Sequence, residues 1–394
     1  MGPQMMRRAI VSAVLAVALV AAGIGGFIAY RHSEFYEIRV ANGAGEESLR
    51  LAAMTLLLNR EDPDRVVPVF IKLLDDKEPT IRAKAAEDLG FMGAASAVEP
   101  LLAALPKQSP PERPTFIEAL GAIGDPRAIA PLAAALDGAA EGEARSLTRA
   151  LANLGPEVVP LLIKRLVDPR PSIRAAAAAG LGWFAIEART QAKKDALAPA
   201  IAPLIPLLYD TVPAVRSSAA DAMGDIRDPK FLTSLVLALG DPDDQVREVI
   251  GRAISYYGDA AIAVLPPAFQ SSDPRTRLGA AEAFAAIADI GVYAPNRAGA
   301  SYVKAAQAVL DEALKRNDLI AGSGAFGYYI TQGRPEAVPF LIAALQAYGH
   351  RRMANGLLNC GLVALHDAAA SWASAHGFTI ETGSGPGEYK WGKG

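Results

Sequence analysis

Side chains that commonly do chemistry are sparse in this chain. Cys360 is the only cysteine, and the four histidines, His32, His350, His366 and His376, are scattered. One cysteine forbids an intrachain disulfide, and with dispersed histidines it leaves no zinc site of the paired-cysteine kind. Cys360 lies in a helical stretch beside Leu357 and Leu358. There a cysteine acts as a small core residue; the reactive alternative requires an electropositive, accessible setting. Gly322-x-Gly324-x-x-Gly327 spells the dinucleotide fingerprint, but that chemistry needs a preceding strand and a surrounding βαβ unit, which the sequence does not supply. There is no P-loop, no Gly-x-Ser-x-Gly elbow and no His-Glu-x-x-His motif. These absences exclude the common catalytic constellations, and the chain reads as a non-enzyme without a cofactor or metal.

What recurs is arginine at a fixed place in a helical phrase. Ile81-Arg82 is followed by Ala85, Ala86, Leu89 and Gly90. The phrase returns at Ile173-Arg174 with Ala177, Ala178, Leu181 and Gly182, and at Val215-Arg216 with Ala219, Ala220, Met223 and Gly224. Positions 81, 85, 86 and 89 share one helical face, which predicts an amphipathic helix with an alanine-rich buried stripe. Weaker copies begin at Leu49-Arg50, Val246-Arg247 and around Arg277, while Arg113 and Arg145 fill the missing registers. The arginines at 50, 82, 113, 145, 174, 216, 247 and 277 differ by 32, 31, 32, 29, 42, 31 and 30 residues. A ninth unit without the arginine fits Ile320 to Gly333.

Each unit has a second half with proline near its start, as in Val66-Val67-Pro68, Ala128-Ile129-Ala130-Pro131, Val158-Val159-Pro160 and Ala337-Val338-Pro339. Proline there lacks only a hydrogen bond that a first helical turn could not make. Asp125-Pro126, Gly155-Pro156 and Asp228-Pro229 precede such halves and suit helix starts. The unit is therefore two short antiparallel helices, neither able to bury its apolar stripe alone, so that stacking must supply the core.

The phrase Asp-Pro-x-x-x-Ile-Arg-x-x-Ala-Ala-x-x-Leu-Gly, seen in Asp168 to Gly182, resembles the HEAT repeats of the subclass found in phycobilin lyases. The resemblance covers about 46 to 346 and implies an all-α fold: a right-handed α-solenoid of about nine HEAT-like helical pairs, an armadillo-like superhelix. It also implies a structural ladder in which Asp168, Asp210, Asp241 and Asp273 meet arginines of neighbouring units, with Arg82, Arg174, Arg216, Arg247 and Arg277 as the rungs. Charge-assisted hydrogen bonds of this kind would fix the spacing of the units. Helical-repeat metalloenzymes resembling deoxyhypusine hydroxylase use His-Glu dipeptides as iron ligands, and no histidine here is followed by glutamate.

The interval of 42 between Arg174 and Arg216 marks an insertion around Trp183 to Ala198, containing Phe184, Lys193 and Lys194. A second runs from Ile290 to Arg316 and predicts an extra helix over Tyr302 to Lys315. Insertions of this kind serve as partner contacts or as tolerated surface loops. From Tyr348 the pattern changes; residues 347–394 read as a helical cap and glycine-rich tail.

The first thirty residues read differently. Ala9 to Tyr30 has no charge over 22 positions, which as a helix spans ~33 Å against a hydrocarbon core of ~30 Å. A cleaved signal peptide, with Val20-Ala21-Ala22 at its cleavage site, is the alternative. The apolar run continues past Ala22, so residues 9–30 are read as a transmembrane helix after a basic segment, 1–8, and before a linker, 31–45. Arg7 and Arg8 precede it, and Arg31 and Arg39 follow it. That near-tie, tipped by the N-terminal amine, places the repeats on the periplasmic or outer face of a bacterial inner membrane.

With 39 Lys and Arg against 42 Asp and Glu, the net charge is −3, which gives no basic surplus for nucleic acid. The expected function is a membrane-anchored scaffold for membrane-associated protein partners, contacting them through second-helix residues such as Lys72, Lys164, Arg165 and Tyr209. The alternative is a HEAT-like lyase or chaperone for a cofactor-bearing client.

Overall fold

Proline opens several of the helices. Pro63, Pro79, Pro171, Pro213 and Pro274 each hold the first helical position, where a missing N–H costs nothing. The structure is a computed structural model that describes residues 34–42, 46–58, 63–187, 191–289, 299–382 and 389–391. The chain divides between Leu161 and Leu162 into two compact units.

The first unit holds α1 (Glu34–Ala41), α2 (Glu47–Leu58), α3 (Pro63–Leu73), α4 (Pro79–Phe91), α5 (Val98–Ala104), α6 (Arg113–Ile123), α7 (Ile129–Ala135) and α8 (Glu141–Ala152). The helices α2, α4, α6 and α8 pack side by side in that order, and α3 packs on α4. Division falls within α9 (Val158–Arg165).

The second unit continues with α10 (Pro171–Glu187), α11 (Gln191–Ala196), α12 (Ile201–Leu204), α13 (Pro213–Ile226), α14 (Leu232–Leu237), α15 (Asp244–Ser255), α16 (Asp259–Phe269) and α17 (Pro274–Ala288). It ends with α18 (Ser301–Lys315), α19 (Leu319–Gly324), α20 (Phe326–Gln332), α21 (Ala337–Tyr348), α22 (Arg351–Leu358) and α23 (Val363–Ala375). A row of first helices, α10, α13, α15, α17 and α19, packs neighbour to neighbour, and α14 packs on α16, which packs on α18.

Alanine and glycine make the first-helix rows possible. A Cβ on Gly121 would lie 2.7 Å from Ala150 Cα, and one on Gly224 would lie 2.9 Å from Ala253 Cα. Gly90 meets Ala119, and Gly182 meets Ala222, in the same way. Backbone thus touches backbone between successive repeats, and Ile81, Leu89, Phe116, Leu120, Ile173, Leu181, Val215 and Met223 fill the space beside these contacts, fully buried.

The residue eleven after the recurring arginine stops the helix. Gly124 adopts φ +74° there, and Arg227 adopts φ +55°. In α10 that place is taken by Ala185, which does not favour the left-handed region, and the helix runs on to Glu187. Second helices begin with a 3₁₀ turn at Pro126–Ala128 and Pro229–Phe231. Asp125 and Asp228 cap those turns, accepting from Arg127 N and Lys230 N, each at 2.9 Å. Pro100, Pro131, Pro160, Pro203 and Pro339 then stand third in their helices.

One expectation is corrected. The longest described helix, α10, has 17 residues, ~25 Å long against a hydrocarbon core of ~30 Å. Among the described residues no helix is long and apolar enough to cross a membrane, and this finding overturns the placement as a single-pass inner-membrane protein. The segment Ala9–Tyr30 that carried the placement lies outside the described residues, as does His32. The fold is helical as expected, with one short addition in the tail: β1 (Ile380–Thr382) pairs antiparallel with β2 (Tyr389–Trp391), Glu381 opposite Lys390. Three-residue strands carry too little alternation to be legible in a sequence.

Gly121→Ala should lower stability by about 1–3 kcal/mol, because an added methyl must push two backbones apart. Gly142→Ala, where nothing lies within 4 Å of the added carbon, should be neutral or mildly stabilising. Urea denaturation of both variants checks this contrast.

Candidate interaction surface

The recurring arginines face the turns between repeats. Arg174 donates from Nε and Nη2 to the Asp210 carboxylate at 2.8 and 3.0 Å, and from Nη1 to the Asp168 carbonyl at 2.8 Å. Arg216 repeats this one unit on, donating to the Asp241 carboxylate at 2.6 and 2.8 Å and to the Asp210 carbonyl at 2.9 Å. Asp210 and Asp241 also accept, within their own turns, from Val212 N and Asp243 N at 2.9 Å. The hydrogen bond from Arg174, opposed by partial burial, holds the Asp210 carboxyl below its ordinary value, and the Asp241 bond raises Arg216. The Asp168 carboxylate is engaged by Arg170 at 3.0 Å.

The pattern breaks at Asp273. Asp168, Asp210 and Asp241 stand six residues before their arginines, whereas Asp273 stands four before Arg277. That is the N-cap position of α17, and Asp273 accepts from Thr276 N at 3.0 Å and Thr276 Oγ1 at 2.6 Å. The expected Asp273 rung is therefore replaced. Arg247 donates to the Asp241 carbonyl at 2.8 Å and lies 3.6 Å from Glu282. Arg277 donates to Asp318 at 2.6 Å. In the first unit Arg82 donates to Glu112 at 2.6 Å, Gln108 at 2.9 Å and the Asp76 carbonyl at 2.9 Å.

Sequence reasoning missed Asp76, which pairs with Arg50 through both oxygens. The signal was available, since Asp76 stands six residues before Arg82.

A second polar cluster closes the C-terminal end. Arg352 of α22 donates to Glu282 of α17 at 3.0 Å and lies 2.7 Å from Glu248 of α15. Burial pushes the Glu282 carboxyl up to about 7 against the opposing pull of Arg352 and Arg247. His350 caps α22, Nδ1 accepting from Met353 N at 3.4 Å, and lies 3.6 Å from Asp244. His366 is half-buried and His376 exposed, and they engage Asp367 and the Trp372 carbonyl. Cys360 is half-buried with Sγ 3.1 Å from the Leu357 carbonyl. Among the described residues no group of three or more His, Cys, Asp and Glu is placed to hold a metal. Two glycines of the fingerprint serve packing: Gly322 faces Phe340, and Gly324 faces the Leu278 carbonyl.

On the second helices Lys72, Lys164 and Tyr209 are exposed, while Arg165 is half-buried beside Asp168 at 3.7 Å. In the insertion, Phe184 is buried and Trp183 half-buried; Lys194 lines an open cleft of about 640 Å³ with Asp195, Asp225 and Arg227. A second cleft, of about 460 Å³, lies between α16 and α18.

The family model described as HEAT repeats matches residues 40–114, 67–152 and 185–255. Among solved structures, an engineered protein is 20% identical with a TM-score of 0.35, covering 86% of this chain and 98% of that one. The complex of CpcE and CpcF of phycocyanin lyase from Nostoc sp. PCC7120 is 19% identical with a TM-score of 0.33, covering 59% and 92%. Human deoxyhypusine hydroxylase in complex with glycerol is 20% identical with a TM-score of 0.29, covering 64% and 95%. No curated protein matches the chain.

Asp241→Ala should cost about 3 kcal/mol, because it strands the buried Arg216 guanidinium. The Asp210 carboxyl titrates below its ordinary 3.8 in the fold, so its contribution is complete above about pH 4 and is lost as pH falls through the lowered value. Chemical denaturation from pH 7 to 2 should show acid destabilisation that is shallower in Asp210→Asn than in the parent chain.

Proposed function

We propose that this HEAT-repeat chain is a scaffold that binds protein partners and is not an enzyme. The carrying observation is a division of labour between the helices of each pair. First helices are occupied by structural duties: Gly–Ala backbone contacts on their flanks, apolar burial beneath, and arginine rungs at their starts. Second helices turn side chains outward that have no such duty, including Lys72, Lys164 and Tyr209. Within each unit, repeats packed in a row lay such outward faces next to each other. The ladder residues Arg82, Asp168, Arg174, Asp210, Arg216, Asp241, Arg247 and Arg277 belong, on this reading, to the frame that holds the surface and not to a binding site.

Affinity purification of the full-length protein from its native source, with mass spectrometry and an absorption spectrum of the eluate, tests the reading. A protein partner should elute at a fixed stoichiometry without a pigment. A chain that elutes alone, or with a bound chromophore and its client, would contradict it, the latter in favour of the lyase or chaperone alternative.

A further inference from the structure

Three consecutive second-helix segments of the second unit contain no charged residue. Residues 201–209, 232–240 and 260–270 read IAPLIPLLY, LTSLVLALG and AAIAVLPPAFQ, in a chain that is 21% charged. Some second helices differ, α3 with Asp64, Arg65 and Lys72 and α9 with Lys164 and Arg165, whereas α7 and α21 are uncharged too but do not adjoin one another in the chain. The first helices between the uncharged segments carry Arg216, Asp221 and Asp225, or Asp244, Arg247, Glu248 and Arg252. Packing does not require uncharged outward positions, because Leu207, Leu208, Leu235, Leu239 and Leu265 already supply the core. Yet Tyr209 is 61% exposed and Leu237 70% exposed, and Pro206, Ala263, Pro266 and Pro267 are exposed beside them. The segment 205–209 packs on α14, and α14 packs on α16, so the three faces adjoin.

The stripe ends in the cleft of about 460 Å³, where Phe269, Gln270, Ala308, Val309 and Ala313 line the wall together with Arg277, Glu312, Arg316 and Asp318. The cations at its rim are already paired, Arg277 with Asp318 at 2.6 Å and Arg316 with Glu312 at 2.8 Å.

We propose that the outward face of 201–209, 232–240 and 260–270 docks an uncharged, apolar stretch of a protein partner, one of whose apolar side chains enters the cleft between α16 and α18. The proposal rests on the scaffold reading and names the chemistry of its partner. Charge decides the occupant. A charged side chain laid on this stripe would lose water without gaining a counter-charge in exchange, which costs several kcal/mol. An apolar one gains about 25 cal/mol per Å² buried. Helices packed at 8–10 Å set three faces across roughly 20 Å, a span that about six extended residues cover.

Fluorescence anisotropy of the full-length protein with three labelled eight-residue peptides tests this. One peptide is uncharged and apolar with a terminal Phe, one carries two Glu and one two Lys. The uncharged peptide should bind best, with less than twofold change between about 50 and 500 mM NaCl. The double variant Tyr209→Asp, Leu237→Asp should weaken it at least about tenfold. Both positions are exposed, so circular dichroism of the variant should match the parent chain.

Preference for a charged peptide, undiminished binding by the variant, or no binding by any of the three overturns the proposed chemistry. The co-purification result then judges the scaffold reading separately. A parent dimer that the variant converts to monomer in sedimentation also overturns it, because the face then pairs two copies of this chain.

Discussion

A guanidinium presents five N–H donors in a rigid planar fork, and the repeats from Asp168 to Asp241 divide that fork between two neighbours. One nitrogen of Arg216 holds the Asp210 carbonyl of its own turn, and two hold the Asp241 carboxylate of the next. Asp210 is used twice in the same fashion, its carbonyl by Arg216 and its carboxylate by Arg174. The turns at Asp210 and Asp241 are thereby acceptors for the repeat before and for their own arginine. A lysine could not replace these arginines, because a point charge cannot grip two groups in fixed directions at once. The helix rows lean on this arrangement: Gly–Ala backbone contact demands close register, and the rungs pin that register at one end of each first helix.

Where the rung changes, the repeats change with it. Asp273 moves to the helix cap, Arg247 turns toward Glu282, and Arg277 reaches Asp318 beyond the extra helix α18. Glu282 then ties α22 back onto α15 and α17 through Arg352, across 70 residues of sequence. The C-terminal end is closed by a buried charged cluster in place of another repeat. The irregular stretch beyond residue 255 also lies outside the matches to HEAT repeats.

Much of the helical frame was legible because it is written in local chemistry. The arginine spacing, the third-position prolines and the Ala-Ala-x-x-Leu-Gly phrase each have a short-range physical cause. The error over Asp273 came from reading residue type without register, since four and six residues before the arginine are a cap and a rung. Glu282 with Arg352 was not legible, because no local pattern announces a pair so far apart. The β1–β2 pair was missed because its strands are too short. The uncharged second-helix segments were visible in the sequence, but their meaning needed the packing that sets them side by side. The apolar segment near the N-terminus led to a membrane placement that no described helix supports.

The central claim is that partners meet the outward faces of the second helices, while first helices and rungs form the frame. Hydrogen–deuterium exchange of the full-length protein, alone and with its co-purified partner, tests it most directly. The account expects slowed exchange concentrated in 201–209, 232–240 and 260–270, with the turns at Asp168, Asp210 and Asp241 unchanged. Protection centred on those turns or on the first helices, with the second helices unaffected, would contradict it.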